Sequence, residues 1–327
     1  MGGACPAPPM TMRVGRPGHS LGVNTRPIWR SWSGSGVRGG QPAGLMDPVT
    51  SHIARNRRRS RWSVASALTG LLLTLSIPAA VPSAAESTVE RGSAYMGMGV
   101  LAHDGETATD DGPVSVPRVT QTEGVDVASY QGDVSWSTLW NSGVRWAYTK
   151  GTEGTYYTNT YFSQQYDGAY DAGLIRGAYH FATPDTTGGA AQADYFVDQG
   201  GGWSKDGKTL PGALDIEWNP YGDACYGKSQ SGMVSWIRDF LDRYKARTGR
   251  AAVIYTATSW WSDCTGNYAG FGATNPLWVA RYASSAGTLP AGWSSYTMWQ
   301  YTSSGPTVGD HDRFNGSLDK VKSFAAG

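Results

Sequence analysis

Charge of either sign is scarce in this chain. Lys and Arg number 27 and Asp and Glu 26 among 327 residues, which leaves a formal net charge of +1. So even a balance gives no electrostatic case for nucleic acid as a partner. Histidine and cysteine are scarcer still, at five and three. No Cys and His spacing suits zinc, and no Ser or Cys nucleophile stands with an evident base, so the sequence offers no constellation for a peptidase or amidase. Phenylalanine is also sparse, at seven, whereas Trp reaches 14 and Tyr 18. Rings with a polar edge suit flat, hydroxylated ligands that must be stacked and hydrogen-bonded at once, although most of them serve as ordinary core.

Residues 1–45 are rich in Gly, Pro, Arg and Ser without apolar periodicity; they are read as disordered or an over-extended gene start, a genuine long leader being the alternative. From Met46 the order is basic (Arg55 to Arg61), then uncharged (Trp62 to Ala85), then small residues at Ser83-Ala84-Ala85. That order describes a secretory signal peptide over 46–85, cleaved after Ala85. A membrane anchor is the alternative, since the run is long enough to span, but Pro78 and Pro82 near its end favour cleavage. Residues 86–121 mix charge, Gly and Pro and read as a propeptide or linker, in which Gly97-Met98-Gly99-Val100-Leu101 is at most a local strand.

The pattern changes near residue 122. Strands are expected at 125–128, 146–150, 177–181, 212–217, 252–256, 277–282 and 296–301, and helices at 135–142, 161–172, 190–199 and 231–248. In the last helix Met233, Ile237, Leu241 and Tyr244 recur at helical spacing, and Gly249 ends it. Strand and helix repeated about five times over roughly 200 residues imply an α/β fold with a parallel sheet, closed into a (β/α) barrel like a TIM barrel, with weak later helices. A doubly wound open sheet is the alternative. Cys5 precedes the leader and would be lost, so Cys225 and Cys264 are expected to form a disulfide, free thiols being the alternative.

Within Ala213-Leu214-Asp215-Ile216-Glu217-Trp218 two acids sit two residues apart in an apolar run. On a strand they share one face, and burying like charges together is costly enough to suggest a use. An exposed acidic edge is the plainer alternative. The strand ends also collect Asp126 and Tyr130, Lys150 with Glu153, Tyr179 and His180, Trp218, Tyr255, Arg281 with Tyr282, and Trp299 with Gln300. Acids, amides and rings at one rim are the composition of a carbohydrate cleft. Glu217 suits the proton donor and Asp215 its charged partner; Cα atoms about 6.5–7 Å apart fit the close spacing of retention better than the wider inverting gap. Each residue also has a plain structural role open to it. Asp126 suits a turn cap, Asp310 and Asp312 turn formers, His180 a packed histidine, Lys150 and Glu153 a surface pair, and Trp260-Trp261 core.

Gly124-Val125-Asp126-Val127-Ala128-Ser129-Tyr130-Gln131-Gly132, Gly177-Ala178-Tyr179-His180-Phe181, Leu214-Asp215-Ile216-Glu217, Trp299-Gln300-Tyr301 and Asp310 before Phe314-Asn315-Gly316 occur in this order. The ordered set resembles family 25 of the glycoside hydrolases, the Chalaropsis-type lysozymes, over 122–325. The resemblance implies one irregular, flattened (β/α) barrel and cleavage of the bond between N-acetylmuramic acid and N-acetylglucosamine in peptidoglycan. It makes Glu217 the general acid, Asp215 the carboxylate that positions or stabilises the substrate's 2-acetamido group, and Asp126 and Asp310 further acids of the cleft floor. Where the family reads Asp-x-Asn, this chain has Asp310-His311-Asp312, so Asp312 replaces an amide. No metal or organic cofactor is implied. The expected partner is the bacterial glycan strand, bound by a secreted monomer with no nucleic acid and, after cleavage, no membrane. A catalytically silent glycan-binding barrel is the rival reading.

Overall fold

A computed structural model describes residues 89–105 and 120–327, so the expected leader and everything before it lie outside the described residues. The first described element is a short helix, α1 (Met98–His103), where the sequence reading allowed a strand. There follow β1 (Thr122–Val127), α2 (Trp136–Asn141), β2 (Trp146–Glu153), β3 (Tyr157–Thr158), α3 (Phe162–Asp171), β4 (Ile175–Phe181) and α4 (Gly189–Phe196). The second half holds β5 (Ala213–Asp215), α5 (Gln230–Thr248), β6 (Val253–Ala257), α6 (Thr258–Thr265), β7 (Leu277–Ala280), β8 (Met298–Thr302), β9 (Asp310–Phe314) and α7 (Leu318–Ala326).

Eight strands close in the order β1, β9, β8, β7, β6, β5, β4, β2, with β2 pairing back to β1 and β3 folding against β2. All pairs in the ring are parallel except those of β9, which runs antiparallel to β1 and β8. No helix separates β7 from β8 or β8 from β9, which makes this side of the α/β barrel irregular. β9 falls where turn formers were expected. Its Asp, His, Asp and Arg have low strand propensity, and tertiary pairing on both edges overrides it.

Helix α5 shows how local signals and packing agree. The Ser229 hydroxyl caps its start by accepting the Gly232 N–H, Gly249 closes it in the left-handed region at φ 73°, and Met233, Ile237, Phe240, Leu241 and Tyr244 form its buried stripe. That stripe meets α4 and the outer face of β4 through stacked rings of Phe196, Phe240 and Tyr244. Inside the barrel, Trp146, Tyr148 and Trp278 fill the floor, with centroids 4.8–6.2 Å apart. Gly124 faces Trp146 across β1 and β2, and a Cβ there would lie 2.2 Å from the indole, so a glycine is needed beside so large a ring. The aromatic floor leaves most inward polar side chains the upper end of the barrel, with Asp312 set against Trp278 below them. Cys225, after β5, and Cys264, in α6, form the expected disulfide with Cα atoms 5.3 Å apart.

Candidate active site

β5 ends at Asp215, two residues earlier than the sequence led one to expect, and Glu217 stands in the loop just beyond. The alternation nevertheless continues: Leu214 and Ile216 join the hydrophobic core, while Asp215 and Glu217 are buried carboxyls. Because β9 is antiparallel, its first residue lies at the same rim as the last residues of the parallel strands, and Asp310 is registered opposite Asp126. Asp312, two residues on, shares that inward face deeper down, where its Oδ1 accepts the Trp278 indole N–H at 3.0 Å.

Gln300 ties these acids together. Its Nε2 donates to Asp126 Oδ2 at 2.7 Å and to Asp310 Oδ2 at 3.4 Å, and its Oε1 accepts the hydroxyls of Tyr255 at 2.6 Å and Tyr282 at 2.9 Å. Asp126 therefore belongs to the barrel interior rather than capping its turn, where Gln131 instead accepts the Ala128 N–H. On the other wall Lys150 and Glu153 form a fully buried ion pair at 2.7 Å, so they are not a surface pair. Glu153 also accepts the hydroxyls of Tyr156 and Tyr221.

Burial dominates the electrostatics. It raises Glu217 to about 8, with Asp310 adding repulsion and three backbone N–H groups opposing. It raises Asp310 to about 7. Asp126 is pushed up by burial and then by Asp312 and Asp310; Asp215 by burial and then by Glu217, against the pull of Lys150. Neither oxygen of Asp215 has a hydrogen-bond partner among the described residues. Five acids so enclosed cannot all ionise, and near neutral pH Glu217 holds a proton that it can give away. The three N–H groups on Glu217 come from Gly97, Gly99 and Val100, in the segment that precedes the barrel.

Asp126, Asp215, Glu217, Tyr255, Gln300 and Asp310 are brought together at the rim, and Tyr179 joins them, its hydroxyl accepting the Met96 N–H at 3.2 Å. Trp218 lies beside Glu217, stacked on His103 at 4.4 Å, and the exposed Tyr130 packs on Tyr95 at 4.6 Å. Arg281 follows β7, bonds to Ser285 and lines a cavity of about 340 Å³ with Tyr282, Thr258 and Val100. Two expected residues are not brought in. His180 points outward between β4 and the helices, with Nδ1 on Thr152 Oγ1 at 2.7 Å and Nε2 on Gln192 Oε1 at 2.9 Å. Trp299 also faces outward, in a cluster with Leu277, Val279 and Ala286. Strand parity signals both, since Tyr179 and Gln300 occupy the inward positions next to them. Trp260 and Trp261 are both core.

The sequence profile of glycosyl hydrolases family 25 matches residues 125–310, more than half of the chain. The chain is 45% identical to lysozyme M1 of Streptomyces globisporus over 289 residues, covering 85% of this chain and 98% of that protein. It is 51% identical to the N,O-diacetylmuramidase of a Chalaropsis species over 209 residues, 63% of this chain and 99% of that protein. The solved muramidase of Acremonium alcalophilum is 53% identical and superposes with a TM-score of 0.62, covering 63% of this chain and 99% of that one. Profile, relatives and the rim of acids agree, and the chain belongs to family 25 of the glycosyl hydrolases.

Proposed function

We propose that this hydrolase is a secreted muramidase that cleaves the β-1,4 bond between N-acetylmuramic acid and N-acetylglucosamine in peptidoglycan, with retention. The observation that carries the reading is the pair at the end of β5: Asp215 and Glu217, two residues apart and both fully buried, with burial raising the Glu217 carboxyl to about 8. Glu217 gives its proton to the glycosidic oxygen as the bond to the anomeric carbon breaks. The substrate's 2-acetamido oxygen attacks that carbon, and Asp215, whose two oxygens have no partner here, accepts the acetamido N–H and stabilises the developing positive charge. Water then attacks the same carbon, the bond from that carbon to the acetamido oxygen breaks and restores the amide, and the Glu217 carboxylate takes the water's proton. Asp126, Asp310 and Gln300 floor the site. The activities for which the relatives are named support the substrate, and the disulfide supports an oxidising compartment.

The test uses a chain that begins at residue 120. Glu217→Gln should fold like the parent and lose a factor of about 10² to 10⁴ in turnover of bacterial walls, the usual cost of a lost general acid. Undiminished turnover removes Glu217 from the role. Proton NMR of the first product should show the β anomer before mutarotation, and an α anomer contradicts retention.

A further inference from the structure

The rim just described is occupied by the chain's own residues. From Arg91 to Asp104 the segment before the barrel runs through the cleft, and its polar contacts are made largely by the backbone. The N–H of Gly92 donates to Glu153 Oε1 at 2.9 Å, and its carbonyl accepts Lys150 Nζ at 3.1 Å. The Ala94 carbonyl accepts a second bond from Lys150, and the Ala94 N–H reaches the Tyr221 hydroxyl at 3.2 Å. Met96 is completely buried, with its N–H on Tyr179. The chain then turns into α1 over Glu217. Gly97 donates to Oε1 at 2.7 Å, while Gly99 and Val100 donate to Oε2 at 2.9 and 3.0 Å. His103 covers Trp218, and Asp104 accepts the Ser259 hydroxyl at 2.6 Å.

Two glycines make this approach possible. A Cβ on Gly99 would stand 2.7 Å from the backbone oxygen of Trp218 and 2.9 Å from Glu217 Oε2. One on Gly97, which has φ 86°, would stand 2.0 Å from the Tyr282 hydroxyl and 2.6 Å from Gln300 Oε1. Both oxygens of the proton donor are thus taken by main-chain donors, and Asp215 is sealed from water. A sugar ring and this segment cannot share the space. The muramidase of Acremonium alcalophilum is 99% covered by 63% of this chain, a share no longer than residues 122–327, and the family profile begins at 125, which argues that the barrel folds without the segment.

We propose that residues 91–104 are an intramolecular inhibitor whose docking site is the cleft itself, and that the chain is latent until the segment is cut from the barrel or displaced. This rests on the glycosidase reading of the same cleft. The site grips an extended peptide through Lys150, Glu153, Tyr179 and Tyr221, then caps the acid with the glycine turn.

Three proteins test it: the chain with its segment, the same chain carrying Gly99→Val, and the barrel from residue 120. With a tether giving an effective concentration of about 1 mM and a free-peptide affinity of about 10 µM, the segment-bearing chain should be open roughly 1% of the time and clear bacterial walls about 100-fold more slowly than the barrel. Gly99→Val, which touches nothing but the docked segment's fit, should restore the barrel's rate, and a synthetic peptide of residues 89–105 should inhibit the barrel in trans. Equal rates for the chain with its segment and for the barrel overturn latency. A second arm needs no turnover: calorimetric binding of a chito-oligosaccharide should be absent in the segment-bearing chain and present in Gly99→Val and the barrel. Equal binding by all three overturns the proposal even if no wall is cleaved, whereas a barrel that binds but does not cleave sinks the glycosidase reading alone.

Discussion

Replacing Gln300 by glutamate separates the shape of the cleft's central amide from its protons. Gln300 is fully buried, faces Asp126 Oδ2 at 2.7 Å as a donor and receives two tyrosine hydroxyls on its other side. In Gln300→Glu the new carboxyl keeps the tyrosine bonds but joins Asp126 and Asp310 in a buried site whose acids are already pushed up, so it is held as an acid. Its pKa in the fold is therefore raised above the unfolded value of about 4.3. The sign follows: the carboxyl's contribution to stability is complete below that value and is lost as the pH rises, since the native state holds a proton that the unfolded chain releases. Each unit costs about 1.4 kcal/mol, so with the carboxyl still protonated in the fold at pH 6.5 the variant should lose about 2.5 kcal/mol relative to the parent between pH 4.5 and 6.5. Urea unfolding of both proteins at the two pH values measures this. A stability difference that is the same at both would refute the donor role assigned to Gln300 and the crowding of acids around it.

His180 titrates in the opposite sense. Burial holds its pKa down at about 4, so its contribution to stability is complete above about 6.5 and is lost as the pH falls towards 4, by about 3 kcal/mol in all. His180→Gln should flatten that part of the parent's pH-stability curve while leaving turnover near the parent's value; an unchanged curve contradicts the burial assigned to it. The Cys225–Cys264 bridge closes a loop of 39 residues, for which chain entropy gives about 4 kcal/mol. Cys225→Ser with Cys264→Ser should lower the free energy of unfolding by that order, and no loss would show the bridge to be incidental.

Helix α5 was legible to within one residue, because stripe and terminating glycine stated the same length, while its Ser229 cap was not singled out. The Asp215 and Glu217 pair was legible because alternation is a local property, and it outlasted the strand by two residues. β9 was not, since its polar residues form a strand only when both neighbours supply the pairing. His180 and Trp299 were drawn to the rim by their chemistry, against the parity that Tyr179 and Gln300 impose on those strands. Asp215 was expected as the charged partner of Glu217, whereas burial raises Asp215 as well and is the leading cause of the Glu217 shift. Least legible was the segment from Arg91 to Asp104. Its contacts are mostly main-chain, and a backbone donor leaves no trace in residue type beyond the glycines that let it approach.

The chemical identity of the sugar end exposed by the barrel, residues 120–327, tests the central claim most directly. Purified bacterial walls digested with it, reduced with borotritide and hydrolysed, should yield label on muramic acid. Label confined to glucosamine would contradict the assignment of the bond and of the roles given to Glu217 and Asp215.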